Sequence, residues 1–249
     1  MGFWRAVDWQ RPWLGDYRAN GEAACRWLDR GASVAEALNR LAEAAPPALA
    51  AGPLRFVAQS ALPAGEPYEA FIARTASVPT RENLHDLFNG LVWLRFPRLK
   101  RRLNERQAEQ IVLAGVSATR GAVRDALTLF DENAALWQAP PVLVDTLRRR
   151  DWTGLFVTHR ALWSAAPLTL FGHALMEKLT RPRKPITTHL WVVPPGVDAE
   201  THLAATLTPE LLATKPYLPL PVLGVPGWWP ANEMPGFYDD HSVFRPRLG

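Results

Sequence analysis

The chemistry of this chain concentrates between Thr80 and Gln107, TRENLHDLFNGLVWLRFPRLKRRLNERQ. His85, Asp86 and Asn89 stand among Leu84, Leu87, Phe88, Leu91, Val92 and Leu94, an apolar series at helical spacing. Residues three and four apart on a helix are neighbours, so these three form one polar edge beside the apolar stripe. Lys100, Asn104 and Gln107 repeat the pattern beyond Pro97. An imidazole beside a carboxylate in apolar surroundings can carry protons near neutral pH. The same pair can also be a hydrogen-bonded support for the fold, and the residues alone leave both readings open.

Two more carboxylates, Asp131 and Glu132, lie in ALTLFDENAALWQ, residues 126–138. Short apolar runs flank Asp131-Glu132-Asn133, a turn-forming cluster, and the pattern predicts a β-hairpin with an acidic tip. Adjacent carboxylates bind a hard cation, or divide acid and base roles when their environments differ. His173 and Glu177 are four apart in PLTLFGHALMEKL, on one face of a predicted helix. If these segments share a cleft, His85, Asp86, Asn89, Asp131 and Glu132 form the catalytic set. His85, Asp131 and His173 would then be the ligands of a divalent metal ion. Lys100, Asn104 and, from the C-terminal segment, Arg245 would contact the ligand. This set suggests metal-assisted or acid–base hydrolysis of a small-molecule substrate.

Two other functions compete. Arg95, Arg98, Lys100, Arg101, Arg102 and Arg106, with Trp93 and Phe96 nearby, could bind a phosphorylated ligand or nucleic acid. Helical spacing scatters these cations around the axis, which weakens that reading. Alternatively the polar residues are a buried network that fixes the fold, with no catalytic role.

The elements that must position these residues are set by caps and breakers. Thr80 is placed to cap a helix with Glu82 in its first turn. That helix runs to about Arg95, turns at Phe96-Pro97 and gives way to a second from about 98 to 113. Ser33 and Glu36 make a capping box, SVAE. Other helices are expected over about 20–31, 68–76, 141–149, from Asp151 to Trp163, from Pro167 to Leu179, and over 208–212. Strands are expected near 54–61, 126–138 and 186–193. From Lys215 the chain is rich in Pro, Gly and Trp, too apolar for a disordered tail. It should wrap across the body, pinned by Trp228, Trp229, Phe237, Tyr238 and Phe244. The fold class is α+β: one helix-rich domain with a small, mostly antiparallel sheet. Residues 1–76 form a helical region packed on a main body of residues 77–249.

Composition narrows the classes further. With 249 residues and a formal charge of +4, the chain can bury a sizeable core and permits, without demanding, an anionic partner. Eleven Trp and 23 Pro point to bulky clefts joined by stiff irregular segments. A single cysteine, Cys25, excludes an internal disulfide and a cysteine-based zinc site, and fits a reducing cytoplasm. The N-terminus is broken by charge and does not read as a signal peptide. The most apolar region, Trp152 to Met176, carries His159, Arg160, Pro167 and His173, and reads as buried helices rather than a membrane span. No GxGxxG, GxSxG or HExxH motif is present.

Four segments together are similar to a bacterial family of unknown function, DUF3025. They are LHDLFNGLVWLRFPRLKRRLNERQ, RDALTLFDEN, LFGHALMEKL and the end LGVPGWWPANEMPGFYDDHSVFRP. The resemblance spans most of the chain from about residue 78. It implies a bacterial protein and carries no assigned reaction, cofactor or catalytic residue.

Overall fold

A computed structural model describes residues 2–114 and 121–246. The N-terminal arm leads into α1 (Arg18–Asp29) and α2 (Val34–Ala42), then a small pair β1 (Ala48–Leu49) and β2 (Gly52–Pro53). Strand β3 (Arg55–Ala58), α3 (Tyr68–Thr75) and β4 (Ser77–Thr80) come after these. The central helices are α4 (Leu84–Arg95) and α5 (Pro97–Ala114). Next come α6 (Ala122–Asn133), β5 (Ala134–Trp137) and α7 (Pro141–Arg149). The second half adds β6 (Leu168–Leu170), α8 (His173–Lys178), β7 (Thr187–Val192), α9 (Ala199–Thr206), α10 (Pro209–Ala213) and β8 (Leu218–Pro221). The four-stranded sheet has the order β6-β5-β7-β8, antiparallel at both margins and parallel between β5 and β7. The fold is α+β and rich in helix.

Local chemistry sets the helix ends. Ser33 Oγ accepts from Glu36 N–H while the Glu36 carboxylate accepts from Ser33 N–H, closing the expected capping box at the start of α2. Thr80 is not a cap: it ends β4, paired with Ala58 of β3. Asn83 caps α4 instead, its Oδ1 accepting from Asp86 N–H at 2.8 Å. Glu82 turns away from its own helix, and both its carboxylate oxygens accept from Val34 N–H, placing negative charge at the start of α2. Pro97 ends α4 and opens α5, where a missing N–H costs nothing.

Three expectations are corrected. Residues 126–138 do not form a hairpin: α6 runs through Asn133, and only 134–137 are strand. Ala126, Leu127 and Phe130 are buried at helical spacing, a pattern too short to distinguish from a strand in isolation. Asp131 and Glu132 therefore occupy the last turn of a helix. The helix expected from Pro167 is half strand. Leu168–Leu170 pairs with β5, and Gly172 breaks the chain before α8 begins at His173. Asp151 does cap the next segment, through Gly154 N–H at 2.8 Å, but that segment divides into a π turn at Gly154–Thr158 and a 3-10 turn at Arg160–Ala165. Strand β8 and helix α9 lie outside the expected elements.

One continuous hydrophobic cluster runs from Val7 to Phe244. The pairing of β3 with β4, Arg55 opposite Ser77 onward, ties residues 1–76 to the rest of the chain. The C-terminal segment wraps the body as expected, with Phe244 buried against Trp152, Phe156 and Tyr238. The 3-10 segment Pro12–Tyr17 lies along β6: the Tyr17 hydroxyl donates to Leu170 O and Thr169 Oγ1 donates to Asp16. At the opposite margin β8 reads LPLP, with two residues that have no N–H. Among the described residues no helix is long and apolar enough to cross a membrane.

Candidate active site

Helices α4, α6 and α8 converge on a cavity of about 320 Å³ lined by His85, Asp86, Asn89, Asp131, Glu132 and His173, among others. The His85 and His173 rings meet edge to face, Nε2 to Nε2 at 3.1 Å. His85 Nδ1 lies 3.1 Å from Glu177 Oε2. Among the described residues His173 Nδ1 has no side-chain hydrogen-bond partner, with Asp131 Oδ2 4.0 Å away. One proton arrangement satisfies these contacts with both rings neutral. His85 donates from Nδ1 to Glu177, and His173 donates from Nε2 to His85 Nε2. Glu177 pairs with His85 on α4, not with His173 on its own helix.

Asp131 sits where a helix end disfavours a carboxylate. Its compensation is Lys100, 4 % exposed, whose Nζ donates to Asp131 Oδ1 at 2.6 Å and Asn89 Oδ1 at 2.8 Å. Asn89 in turn donates from Nδ2 to the Tyr68 hydroxyl at 3.1 Å. Burial alone would raise the Asp131 carboxyl, but the Lys100 charge, with His173 and His85, holds it below the usual range. Burial dominates at His173 and pushes its imidazole down to about 4, against the opposing pull of Asp131. His173 is therefore neutral at pH 7, while His85 is partly open to solvent.

The remaining candidates divide. Asp86 lines the cavity, but Arg81 occupies its carboxylate with the backbone N–H at 2.6 Å, Nε at 3.1 Å and Nη2 at 2.9 Å. Glu132 is exposed at the rim. Gln107 reaches the cavity from α5. Asn104 instead donates to Glu69 O and faces an apolar groove beside Leu49 and Val112. Arg245 lies elsewhere, in a cavity with Arg150 and Trp152. Of the three candidate metal ligands, His173 meets His85 through Nε2 and stands nearest Asp131 through Nδ1. Among the described residues no group of three or more His, Cys, Asp or Glu side chains is disposed to hold a metal ion.

The basic run is largely engaged within the protein. Arg95 meets Asp16, Arg101 and Arg102 meet Glu105, Arg106 meets Glu109, and Arg98 donates to Thr201 while its N–H meets Glu200. Lys100 is inside the protein. Arg81 and Tyr68 are participants that spacing did not identify, and spacing gives Glu177 the wrong partner. Glu177 appears in the sequence only as a neighbour of His173, and Tyr68 has no local signal at all.

Gly172 holds the arrangement together. It caps α8 one residue before His173, and a Cβ there would come within 2.5 Å of Asn133 N and Glu132 O, which are backbone atoms. Gly172→Ala should therefore push α8 from the end of α6 and cost about 1–3 kcal/mol of stability in urea unfolding. Loss below about 0.5 kcal/mol would mean that the two helix ends separate freely.

Fold and site together define a helix-rich α+β protein with a histidine pair flanked by carboxylates in one cleft. The chain matches, over residues 54–248, the model of a family described as "Protein of unknown function (DUF3025)", and it belongs to that family. No curated protein and no solved structure matches it.

Proposed function

We propose that the cleft is the active site of an acid–base hydrolase in which water is the nucleophile and His85 moves the proton. The observation that carries this reading is the Glu177–His85 pair, a carboxylate orienting an imidazole that opens on a cavity large enough for a small substrate. The hydroxyl-bearing residues of the lining are Tyr68 and Thr128, and neither is hydrogen-bonded to a histidine, so no hydroxyl there is set up as a nucleophile. In the reaction, water would donate its proton to His85 Nε2 as its oxygen attacks the substrate. Glu177 would stabilise the imidazolium through Nδ1, and the proton would then pass to the leaving group. The attacking water would displace the His173 N–H from His85 Nε2.

Charge indicates the kind of substrate. Glu69, Asp86, Asp131 and Glu132 line the cavity against Arg81, with Glu177 and Lys100 in contact, leaving an excess of three negative charges when both histidines are neutral. Such a cleft repels phosphates and carboxylates and favours neutral or cationic substrates. The test is a panel of neutral and amino-bearing esters and amides assayed with wild type and His85→Gln. Wild-type hydrolysis should fall about 10²–10⁴-fold in the variant. Turnover equal in both proteins would remove His85 from the chemistry.

A further inference from the structure

The hydrogen bonds around Lys100 have only one possible direction. An ammonium donates and never accepts, so Asn89 must present its carbonyl oxygen to Lys100. Asn89 Nδ2 therefore faces Tyr68 and donates to the phenol oxygen. The Tyr68 hydroxyl is left with its own proton to give, and among the described residues it has no acceptor. Tyr68 lines the same cavity as His85.

We propose that Tyr68 is the substrate-binding donor of this site, and that the group it takes is a carbonyl-type oxygen. The proposal rests on the acid–base reading and specifies its substrate as an acyl compound. The chain Lys100, Asn89, Tyr68 runs from a buried cation outward, and each bond polarises the next, so the terminal O–H is a stronger donor than an isolated phenol. Such a donor is suited to an oxygen that gains negative charge as water adds to the carbon beside it. The proton stays on Tyr68 throughout, because burial, reinforced by Asp86 and Asp131, raises the phenol well above its ordinary value. The acidic rim and this donor are complementary in role: the rim disfavours a formal anion in the ground state, while Tyr68 addresses charge that appears only during reaction.

The chain contains four Tyr, so uniform 3-fluorotyrosine labelling gives a short ¹⁹F spectrum in which Tyr68→Phe identifies the Tyr68 line. Acetamide, a neutral carbonyl probe, and ethylammonium, which has no acceptor oxygen, are titrated separately while the His85 ring proton is followed. Acetamide should move both the Tyr68 and His85 signals, and ethylammonium should leave Tyr68 in place. In unlabelled Tyr68→Phe the acetamide constant, read at His85, should weaken at least fivefold. If acetamide moves His85 but not Tyr68, or binds Tyr68→Phe equally well, the donor role is overturned while the site stands. If neither probe moves His85 or Tyr68, the donor role and the site reading fall together. Should Tyr68→Phe fold poorly, Tyr17→Phe, Tyr217→Phe and Tyr238→Phe assign the other three lines and leave the Tyr68 line by difference, so that the wild-type titration still decides.

Discussion

Lys100→Met should lower the unfolding free energy by about 3 kcal/mol, among the largest single effects in the protein. Methionine nearly matches the length and volume of lysine, so packing against Trp93 is largely kept while the charge is lost. What remains is Asp131, a mostly enclosed carboxylate at an unfavourable helix end, with its close cation gone. Asn89 loses its donor at the same time, and the direction of its amide is no longer fixed. Replacing Asp131 as well should recover most of the loss: Lys100→Met with Asp131→Leu removes both charges together. Urea unfolding of the two single variants and the double variant measures this directly. A Lys100→Met protein within about 1 kcal/mol of wild type would show that water reaches Asp131 freely.

Stability should also fall steeply with acid, by about 3 kcal/mol between pH 6.5 and pH 4, because of His173. In the unfolded chain its imidazole takes a proton near 6.5, and in the folded protein only near 4. Between those values the unfolded state binds more protons, so unfolding becomes easier as pH drops. Above 6.5 neither form is protonated and the contribution is flat. Below 4 both are protonated and the full cost has been incurred. Asp131 acts in a lower window: its contribution is present above 3.8 and is lost only as pH falls through its depressed folded value. His189, also pushed down by burial, adds a slope of the same sign. The comparison that isolates His173 is therefore wild type against His173→Gln across this range. The variant should lose most of the slope, whatever its stability at pH 7. An unchanged slope would place the titration elsewhere.

The sequence revealed the individual participants more readily than their pairings. His85, Asp86, Asn89, Asp131, Glu132 and His173 do line one cavity, because polar side chains set into apolar helical stripes must meet other polar groups when the stripes pack. Which groups they meet was not legible. Lys100 and Asp131 are 31 residues apart and His85 and Glu177 are 92 apart, and no periodicity specifies such partners. Local rules worked where local chemistry decides, as in the Ser33 capping box and the break at Phe96-Pro97. They failed at α6, where a helix leads into a strand with no intervening Gly or Pro and the acidic cluster resembles a turn. They failed again at β6, three residues whose extended form is held by pairing with β5 rather than by propensity.

Neither margin of the four-stranded sheet is open to another strand. On the β6 side Tyr17 and Asp16 cover the backbone and side chains that an incoming strand would use. On the β8 side Pro219 and Pro221, at alternate positions, supply no N–H groups to a new ladder. Recruitment of a neighbour's strand, the common route from a folded β-structure to fibrils, is thus obstructed at both ends. The sheet can keep its β-branched and aromatic strand THLWV at the centre without exposing it to the aggregation that such a sequence otherwise promotes.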